Sequence, residues 1–387
     1  MTDSDTPPVS REFATAASGR LTIARGLGAE LFDTSGRRFI DLGATHGVGN
    51  LGANPPEVVR AIERQAHELL YLGSSYANPV RSAFIDRLLS LLPRSFGSVF
   101  LSNSGTEAVE AAIKVARSVT GRTKVVAAMR GFHGRTMGSL SATWRREFRE
   151  PFEPLVPGFV HVPYNDVAAL EAAVDASTAL VLLEPVQGEG GVHVASEEYL
   201  RAARAACDRT GTLLAFDEVQ CGLGRTGRLF AFERWAVVPD LLLLAKSLAG
   251  GLPIGATVIG RELAPRFRGS HHSTFGGSPL VCAAGLAALN QLVHERLPER
   301  ADRLGAAGLE RLQSLPPAKV REVRGLGLMI GVEFREKVAP ILAALESRGF
   351  LAIPAGATVL RLLPPLVISE ADWAAGLTAI EEVVAGG

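Results

Sequence analysis

The chain has 387 residues, of which 47% are hydrophobic and 21% charged, a balance typical of a folded globular protein of two or three domains. Forty basic residues cancel forty acidic ones, so no overall charge favours nucleic acid. The apolar runs are far shorter than the roughly 20 residues of a membrane span, and the polar N-terminus lacks the apolar region of a secretion signal. Three cysteines without a CxxC pair argue against a zinc ribbon or a disulfide scaffold. We therefore expect a cytoplasmic protein with no metal, no membrane partner and no nucleic-acid partner.

Hydrophobic patterning in chain order predicts an α/β fold. A β-hairpin is expected over residues 27–43, with its turn at 33–36. Amphipathic stretches over 167–174 and 196–210 predict helices. Short, continuously apolar runs, typical of strands buried on both faces, occupy residues 124–129, 179–185, 212–218, 240–246 and 256–260. Their alternation with helices predicts a mainly parallel central sheet.

The two ends of the chain differ from its middle. Residues 286–387 combine a long helix, strands near 324–334 and 358–363, and a closing helix. We expect a large central domain over residues 46–285. The C-terminal part is expected to form a smaller α+β domain together with the N-terminal segment 1–45.

One lysine has an unusual position. Only five of the forty basic residues are lysine, and Lys246 follows four leucines and an alanine at the end of a predicted strand. Burial there would lower the amine pKa from about 10.4 and leave the amine free to act as a nucleophile. The alternative is a structural lysine paired with a buried carboxylate.

A carboxylate ends the preceding strand of the same series. Asp217 lies one βα unit before Lys246, and the carboxyl ends of strands in open α/β sheets converge on one crevice. A carboxylate and a nucleophilic lysine together suit pyridoxal phosphate (PLP). The lysine would bind the cofactor covalently, and the aspartate would keep the pyridine nitrogen protonated.

A phosphate site is indicated near residue 105. The strand-like run 98–103 is followed by Ser104, Gly105, Thr106 and an Ala-rich helix. Gly105 allows a phosphate to approach the backbone, while Thr106 and the free amides of the helix start can donate hydrogen bonds to it. The alternative is that Ser104 or Thr106 only caps the helix.

Further residues suit a flat cofactor and a dicarboxylate substrate. In the loop 131–136, Phe132 can stack on an aromatic ring and Arg135 can hold a carboxylate through two hydrogen bonds. Glu189 and Arg361 are additional candidates. As isolated residues, both would be ordinary surface charges in most proteins.

Taken together, these segments resemble the class-III aminotransferases, which are fold-type-I PLP enzymes. Seven motifs carry the resemblance, in the order NSGTEA, GFHGRT, EPVQGEGG, FDEVQ followed by GLGRTG, LLAKSLAGGLPIGA, STFGG and RGLGLMIG. Within the class, the chain is most similar to acetylornithine aminotransferases and to enzymes of lysine biosynthesis that act on lysine bound to a LysW-type amino-group carrier protein. Residues 127–144 carry the latter similarity.

The resemblance implies roles for the matched residues. Lys246 would be the catalytic residue and would hold PLP covalently. The other residues implied in cofactor binding are Gly105, Thr106, Phe132, Asp217, Glu218, Val219, Gln220 and, from the second subunit of a homodimer, Thr274.

The resemblance also implies four substrate contacts. Arg135 would hold the distal carboxylate, and Arg361 the α-carboxylate of glutamate or 2-oxoglutarate. Glu189 would cover Arg361 when an ω-amine occupies the site, and Ser273 would come from the neighbouring subunit. The implied reaction transfers the terminal amine of LysW-linked lysine or ornithine, or of N2-acetylornithine, to 2-oxoglutarate and yields a semialdehyde and glutamate.

Other activities compete with this interpretation. An ω-transaminase for ornithine or 4-aminobutyrate, or an aminomutase, could use the same fold, although the pair Glu189 and Arg361 favours an enzyme that uses an acceptor. The segment 222–227 matches the dinucleotide-binding pattern GxGxxG. No clear helix opening follows that segment, so an NAD-dependent dehydrogenase is a remote alternative.

An acidic carrier protein would be favoured by a basic rim around the site. Arginine is abundant throughout the chain, however, so local clusters can also arise by chance. The candidate rim residues are Arg145, Arg146, Arg149, Arg266, Arg268, His271 and His272.

Overall fold

The computed structural model describes residues 21–386. Its strands are β1 (Ile23–Leu27), β2 (Glu30–Asp33), β3 (Arg38–Asp41), β4 (Phe96–Ser102), β5 (Lys124–Ala128), β6 (Phe159–Val162), β7 (Thr178–Leu183), β8 (Val186–Gln187), β9 (His193–Val194), β10 (Leu213–Asp217), β11 (Leu241–Leu244), β12 (Gly255–Gly260), β13 (Val320–Leu326), β14 (Met329–Phe334), β15 (Phe350–Leu351), β16 (Ile353–Pro354) and β17 (Val359–Leu362).

Helices cover both faces of the largest sheet. The α-helices are α1 (Ala44–Gly47), α2 (Pro56–Glu68), α3 (Pro79–Ser90), α4 (Gly105–Thr120), α5 (Met137–Ala142), α6 (Arg146–Arg149), α7 (Val167–Ala173), α8 (Glu197–Thr210), α9 (Pro279–His294), α10 (Leu297–Gln313), α11 (Ala339–Ser347) and α12 (Glu370–Gly386). Short 3-10 helices span Glu150–Phe152, Ala231–Arg234, Lys246–Ala249 and Ala264–Arg266. Within residues 21–386, no helix is long and apolar enough to cross a membrane.

The central sheet has seven strands in the order β4-β12-β11-β10-β7-β5-β6. The strands from β11 to β6 pair in parallel, and β12 is antiparallel to both of its neighbours. This mainly parallel sheet within an α/β architecture confirms the predicted fold class. The run 256–260, expected among the parallel strands, runs the other way because the link from β11 to β12 is too short for a parallel crossover.

The predicted apolar runs form the middle of this sheet. Every residue of β7, β10 and β11 is buried, which explains why these strands show continuous rather than alternating hydrophobicity. Helix α4 packs on β11 and β12, and α8 packs on β10. The helices predicted over 167–174 and 196–210 are confirmed as α7 and α8.

Both chain ends contribute to the smaller sheets. The hairpin predicted near the N-terminus is confirmed as β2 and β3, and Asp33 caps its turn by accepting from the amides of Ser35 and Arg37. Strand β15, from the C-terminal part, pairs with β3, while β13, β14, β17 and β16 form a separate sheet. The pairing of β15 with β3 is what a small domain built from both chain ends requires. The boundaries 1–45, 46–285 and 286–387 stay predictions, and residues 1–20 lie outside the described part.

The segment 222–227 has a structural role. Turns rather than a helix follow β10 here, and the Arg225 side chain is fully buried. Its guanidinium donates to the carbonyls of Leu328 at 3.0 Å and Pro364 at 2.5 Å, and to Asn50 Oδ1 at 2.5 Å. Burial lowers the pKa of Arg225 to about 9. The match to GxGxxG therefore marks a joint between the central part of the chain and its C-terminal sheet.

We predict that Arg225→Met lowers the free energy of unfolding by about 2–4 kcal/mol, because it leaves three buried oxygen atoms without their donor. The exposed Arg228 supplies the matched control, since Arg228→Met should change stability by less than about 0.5 kcal/mol. Urea denaturation of the two variants measures the difference. Equal stabilities would contradict the role assigned to Arg225.

Candidate active site

A cleft of about 450 Å³ opens beyond the carboxyl ends of β10 and β11. Loops after several strands of the central sheet contribute to its wall, as is usual for ligand sites in open α/β sheets. The lining residues are Val48, Asn103, Ser104, Gly105, Thr106, Phe132, His133, Gly134, Arg135, Glu184, Asp217, Val219, Gln220, Ala245, Lys246, Gly251, Leu252, Pro253 and Ile254.

The sheet register brings Asp217 and Lys246 to the same edge. Asp217 is the last residue of β10 and pairs with Leu243 of the neighbouring parallel strand β11. Lys246 lies three residues after Leu243, where the chain begins a 3-10 helix. Both side chains line the cleft, as the sequence predicted.

Lys246 is held in an unusual state for a lysine. Its backbone has a φ of 44°, a left-handed conformation that costs energy in a residue with a Cβ. Burial lowers the pKa of the amine below its ordinary value, against the opposing charge of Glu189. A larger fraction of the amine is therefore neutral, and hence nucleophilic, at a given pH.

Asp217 is paired with a histidine that the sequence analysis did not single out. His133 Nδ1 lies 2.8 Å from Asp217 Oδ2, and the histidine side chain is fully buried. Burial alone lowers the pKa of His133, but the hydrogen bond and the charges of Asp217 and Glu184 outweigh it and raise the pKa. His133 thus gives Asp217 a buried hydrogen-bond partner. The signal was present in the sequence, since His133 directly follows Phe132 in the motif GFHGRT.

Glu184 is a second site residue that the sequence analysis missed. It directly follows β7, the strand beside β10, and lines the cleft. Its carboxylate accepts from the amides of Phe132 at 3.0 Å and Gly188 at 3.1 Å, so it fixes two loops of the site. Burial raises the pKa of Glu184, against the opposing charge of His133. The rule that located Asp217, a carboxylate at the end of a buried strand, also fits Glu184.

Several hydrogen-bond donors lie together where α4 begins. Ser104 caps the helix by accepting from the amide of Glu107, so the alternative predicted for Ser104 is confirmed. Thr106 does not share this capping role. Its hydroxyl lies 2.9 Å from that of Thr136 and 2.5 Å from that of Ser139, forming a hydroxyl cluster beside the free amides of the first helical turn.

The backbone at the start of α4 is tightly packed against Val219. A Cβ added to Gly105 would lie 2.9 Å from a methyl group of Val219, so only glycine lets the two loops meet at this distance. Gly105, Thr106 and Val219 all line the cleft. Phe132 lines it as well, with its ring packed edge-on against Phe148 at a centroid distance of 6.0 Å.

Arg361 and Glu189 form an ion pair at the edge of the site. Arg361 is fully buried, and its guanidinium donates to Glu189 Oε1 at 2.6 Å and to Gln220 Oε1 at 3.0 Å. His46 Nδ1 lies 3.0 Å from the other guanidinium nitrogen. Burial alone raises the pKa of Glu189, but the hydrogen bond with His46 and the charge of Arg361 hold it well below its usual range. His46 was not predicted, because no local pattern links it to a strand end.

Arg135 remains open to solvent at the mouth of the cleft. Its guanidinium carbon lies 4.0 Å from the ring centroid of Phe148 and 5.8 Å from that of Phe132. These cation–π contacts orient the side chain and leave its hydrogen-bond donors available for an anion.

Glu218 was assigned to the cofactor but lies outside the cleft, and Ser273 and Thr274, which were assigned to the site of the neighbouring subunit, do not line the cleft of their own chain. The Glu218 side chain is fully buried and accepts from the amides of Ala231 and Phe232, so it supports the neighbouring turn and does not line the cleft. Asp217 and Glu218 are consecutive, and their side chains point in different directions at the end of the strand. Ser273 contacts Asn103 at 3.0 Å, just behind the wall, and Thr274 is exposed.

Comparison with known proteins decides the family. The model of the family "Aminotransferase class-III" matches residues 14–384. This chain belongs to the class-III aminotransferases. The acetylornithine aminotransferase of Methanopyrus kandleri is 47% identical over 367 residues, which cover 94% of each chain. The [LysW]-aminoadipate semialdehyde transaminase of Deinococcus radiodurans is 44% identical, over 94% of this chain and 86% of its own.

A solved structure supports the same assignment. The ornithine aminotransferase of Toxoplasma gondii, crystallized with oxidized glutathione and with PLP at partial occupancy in its active site, superposes with a TM-score of 0.92. It is 34% identical, and the alignment covers 97% of this chain and 93% of that one. The sequence-based recognition of the family is thus confirmed, and the cofactor of this aminotransferase is PLP.

The cleft fits this cofactor. Lys246 would provide a nucleophilic amine, the buried carboxyl group of Asp217 with His133 would face the pyridine nitrogen, and the hydroxyl cluster at Thr106 would provide donors for a phosphate. Among the described residues His133 Nε2 has no hydrogen-bond partner, so the imidazole ring is oriented by its hydrogen bond with Asp217. The assignment of individual residues to parts of PLP stays a prediction.

We predict that Lys246 is the lysine that PLP modifies. Borohydride reduction of the holoenzyme should leave a phosphopyridoxyl tag on Lys246, and Lys246→Ala should lose both the tag and turnover, because the nucleophilic amine is gone. Mass spectrometry of peptides locates the tag. Lys124→Ala is the matched control, since Lys124 forms a surface ion pair with Asp175 at 2.8 Å. A tag on another lysine, or an active Lys246→Ala variant, would refute the assignment.

Proposed function

We propose that this aminotransferase moves the terminal amine of an N2-blocked lysine or ornithine to 2-oxoglutarate, giving a semialdehyde and glutamate. The blocked donor is either lysine or ornithine linked to an acidic LysW-type carrier protein, or N2-acetylornithine. The observation that carries the proposal is the buried Arg361 covered by Glu189 at the edge of the cleft. The names of the two most similar relatives described above support the donor class.

The bound cofactor supplies an electron-withdrawing ring that stabilises negative charge on the carbon next to the reacting nitrogen. Asp217, backed by His133, would hold a proton at the ring nitrogen and so maintain that electron demand. The neutral amine of Lys246 would accept the proton from the substrate carbon and return it. Proton transfer by a positioned side chain typically contributes about 10²–10⁴-fold.

The pair of Arg361 and Glu189 explains how one site accepts two unlike substrates. A free Arg361 would leave a buried, uncompensated charge and would repel a cationic ω-amine, so Glu189 covers it while the donor reacts. Glutamate and 2-oxoglutarate bring an α-carboxylate that can take the place of Glu189. The exposed Arg135 would then hold the carboxylate at the other end of the substrate.

The basic rim gives limited support for a carrier protein. Arg146 forms an ion pair with Glu150 at 2.9 Å, and Arg145 lies 3.6 Å from Glu147, so part of the rim charge is neutralised within the chain. Arg268 and His272 remain exposed on the loop that precedes Ser273. These residues would attract an acidic carrier, whereas an acetylated donor would not need them.

We also propose that the enzyme works as a homodimer with a shared active site. Leu70, Tyr71, Tyr76 and Phe275 expose large apolar side chains, and Arg81 joins the segments that carry them by donating to carbonyls in both. Such a concentration of exposed apolar surface is typical of a protein interface. In that arrangement Thr274 would reach the phosphate site of the partner subunit, and Ser273 its substrate.

We predict that Glu189→Gln shifts the preference of the enzyme towards the acceptor. The neutral amide binds Arg361 less strongly, so glutamate and 2-oxoglutarate should bind about tenfold more tightly, while the reaction with N2-acetylornithine should become about tenfold less efficient. Stopped-flow absorbance of the bound cofactor measures each half-reaction separately.

The matched control for this test is Glu197→Gln. Glu197 forms a surface ion pair with Arg201 at 2.8 Å, so the same substitution there should change neither half-reaction. If Glu189→Gln changed both half-reactions by the same factor, the covering role of Glu189 would be wrong. If the wild type reacted with glutamate but with no blocked donor, the proposed donor class would be wrong.

A further inference from the structure

Glu189 is the only residue with a side chain in the segment Gly188–Gly191. Glycine neighbours leave the backbone conformationally free, so a charged side chain that must return to one partner needs its backbone held from outside. Three side chains form hydrogen bonds with the backbone of this segment. Glu184 accepts from the amide of Gly188 at 3.1 Å, and Arg324 donates to the carbonyl of Gly191 at 2.9 Å.

The third contact is made to Glu189 itself. Arg145 Nη2 donates to the Glu189 carbonyl oxygen at 3.2 Å. The Arg145 side chain is half-buried, and its guanidinium carbon lies 5.8 Å from the ring centroid of Phe148. Arg145 therefore lies behind the ion pair of Glu189 and Arg361 and holds the backbone of Glu189.

Arg145 also contacts the element that carries Arg361. A Cβ added to Gly356 would lie 2.7 Å from Arg145 Nη2, so the guanidinium packs directly against this glycine. Gly356 lies in the turn that joins β16 to β17, and Arg361 is part of β17. One guanidinium thus touches the backbone of Glu189 on one side and the hairpin of Arg361 on the other.

We infer that Arg145 is a positioning residue that holds the Glu189 carboxylate next to Arg361. By doing so it sets the balance between the amine donor and the dicarboxylate substrates. The inference rests on the covering role of Glu189 in the proposed function. Arg145 makes no contact with the reacting atoms in this account. It keeps the Glu189 backbone in place while the carboxylate moves aside for an α-carboxylate and returns afterwards.

The test compares Arg145→Met with the wild-type holoenzyme. Methionine keeps the apolar stem and removes the donor, so Glu189 should cover Arg361 less often. Glutamate should then bind more tightly. The ratio of the catalytic efficiency with N2-acetylornithine to that with glutamate should fall roughly fivefold to tenfold, which is the effect of losing one half-exposed hydrogen bond from a charged group. N2-acetylornithine and glutamate are the probes, each followed in its own half-reaction.

Two further variants separate this role from general damage. Arg201→Met removes the same group from the surface of α8, where the guanidinium binds Glu197 at 2.8 Å, and should leave the ratio within twofold of wild type. Arg145→Lys keeps a charged donor and should restore most of the ratio. In a Glu189→Gln background, Arg145→Met should change the ratio by less than twofold, because the group that it positions no longer carries a charge.

A measurement without substrate tests the role of Arg145 whichever amine donor the enzyme uses. Amide hydrogen exchange of the holoenzyme should be faster in the peptide containing residues 188–191 for Arg145→Met, and unchanged for Arg201→Met. Unchanged exchange, or a ratio that falls equally in both variants, would overturn the inference. If exchange rises but the wild type reacts with neither probe, the covering role of Glu189 has failed and the positioning of its backbone by Arg145 stands.

Discussion

The parallel pairing of β10 with β11 is the constraint on which the site depends. Because Asp217 pairs with Leu243, the chain leaves both strands at one edge of the sheet, and the aspartate and Lys246 enter the same cleft. The apolar strands beneath keep water away from this edge and lower the pKa of the lysine amine. The same constraint brings Glu184 into the cleft, since it follows the next parallel strand, β7.

The proposed selectivity depends on contacts between distant parts of the chain. Arg361 comes from the C-terminal sheet, Glu189 from the loop between β8 and β9, and His46 from the N-terminal region, and they meet in one hydrogen-bonded network around the buried guanidinium. A buried arginine is stable here because its hydrogen bonds are made by groups on several elements. The network therefore joins the C-terminal sheet and the N-terminal region to the edge of the site.

The sequence predicted the chemistry better than the supporting network. Lys246, Asp217 and Thr106 could be located because each follows a buried strand or opens a helix. The roles of Arg361 and Glu189 came only from the family resemblance. His46 and Arg145 could not be found locally, because their partners are far away in the chain. The family resemblance placed Glu218 among the cofactor-binding residues, but only the strand geometry shows that its side chain supports the neighbouring turn.

The most direct test of the account is a side-by-side measurement of kcat/KM for carrier-linked lysine, N2-acetylornithine and free ornithine, with 2-oxoglutarate as the acceptor. The account predicts that at least one blocked donor yields glutamate and a semialdehyde in equal amounts, with a higher kcat/KM than free ornithine. Preference for the carrier-linked donor would assign docking to the basic rim. Glutamate formation from free ornithine alone, or from none of the three donors, would contradict the central claim.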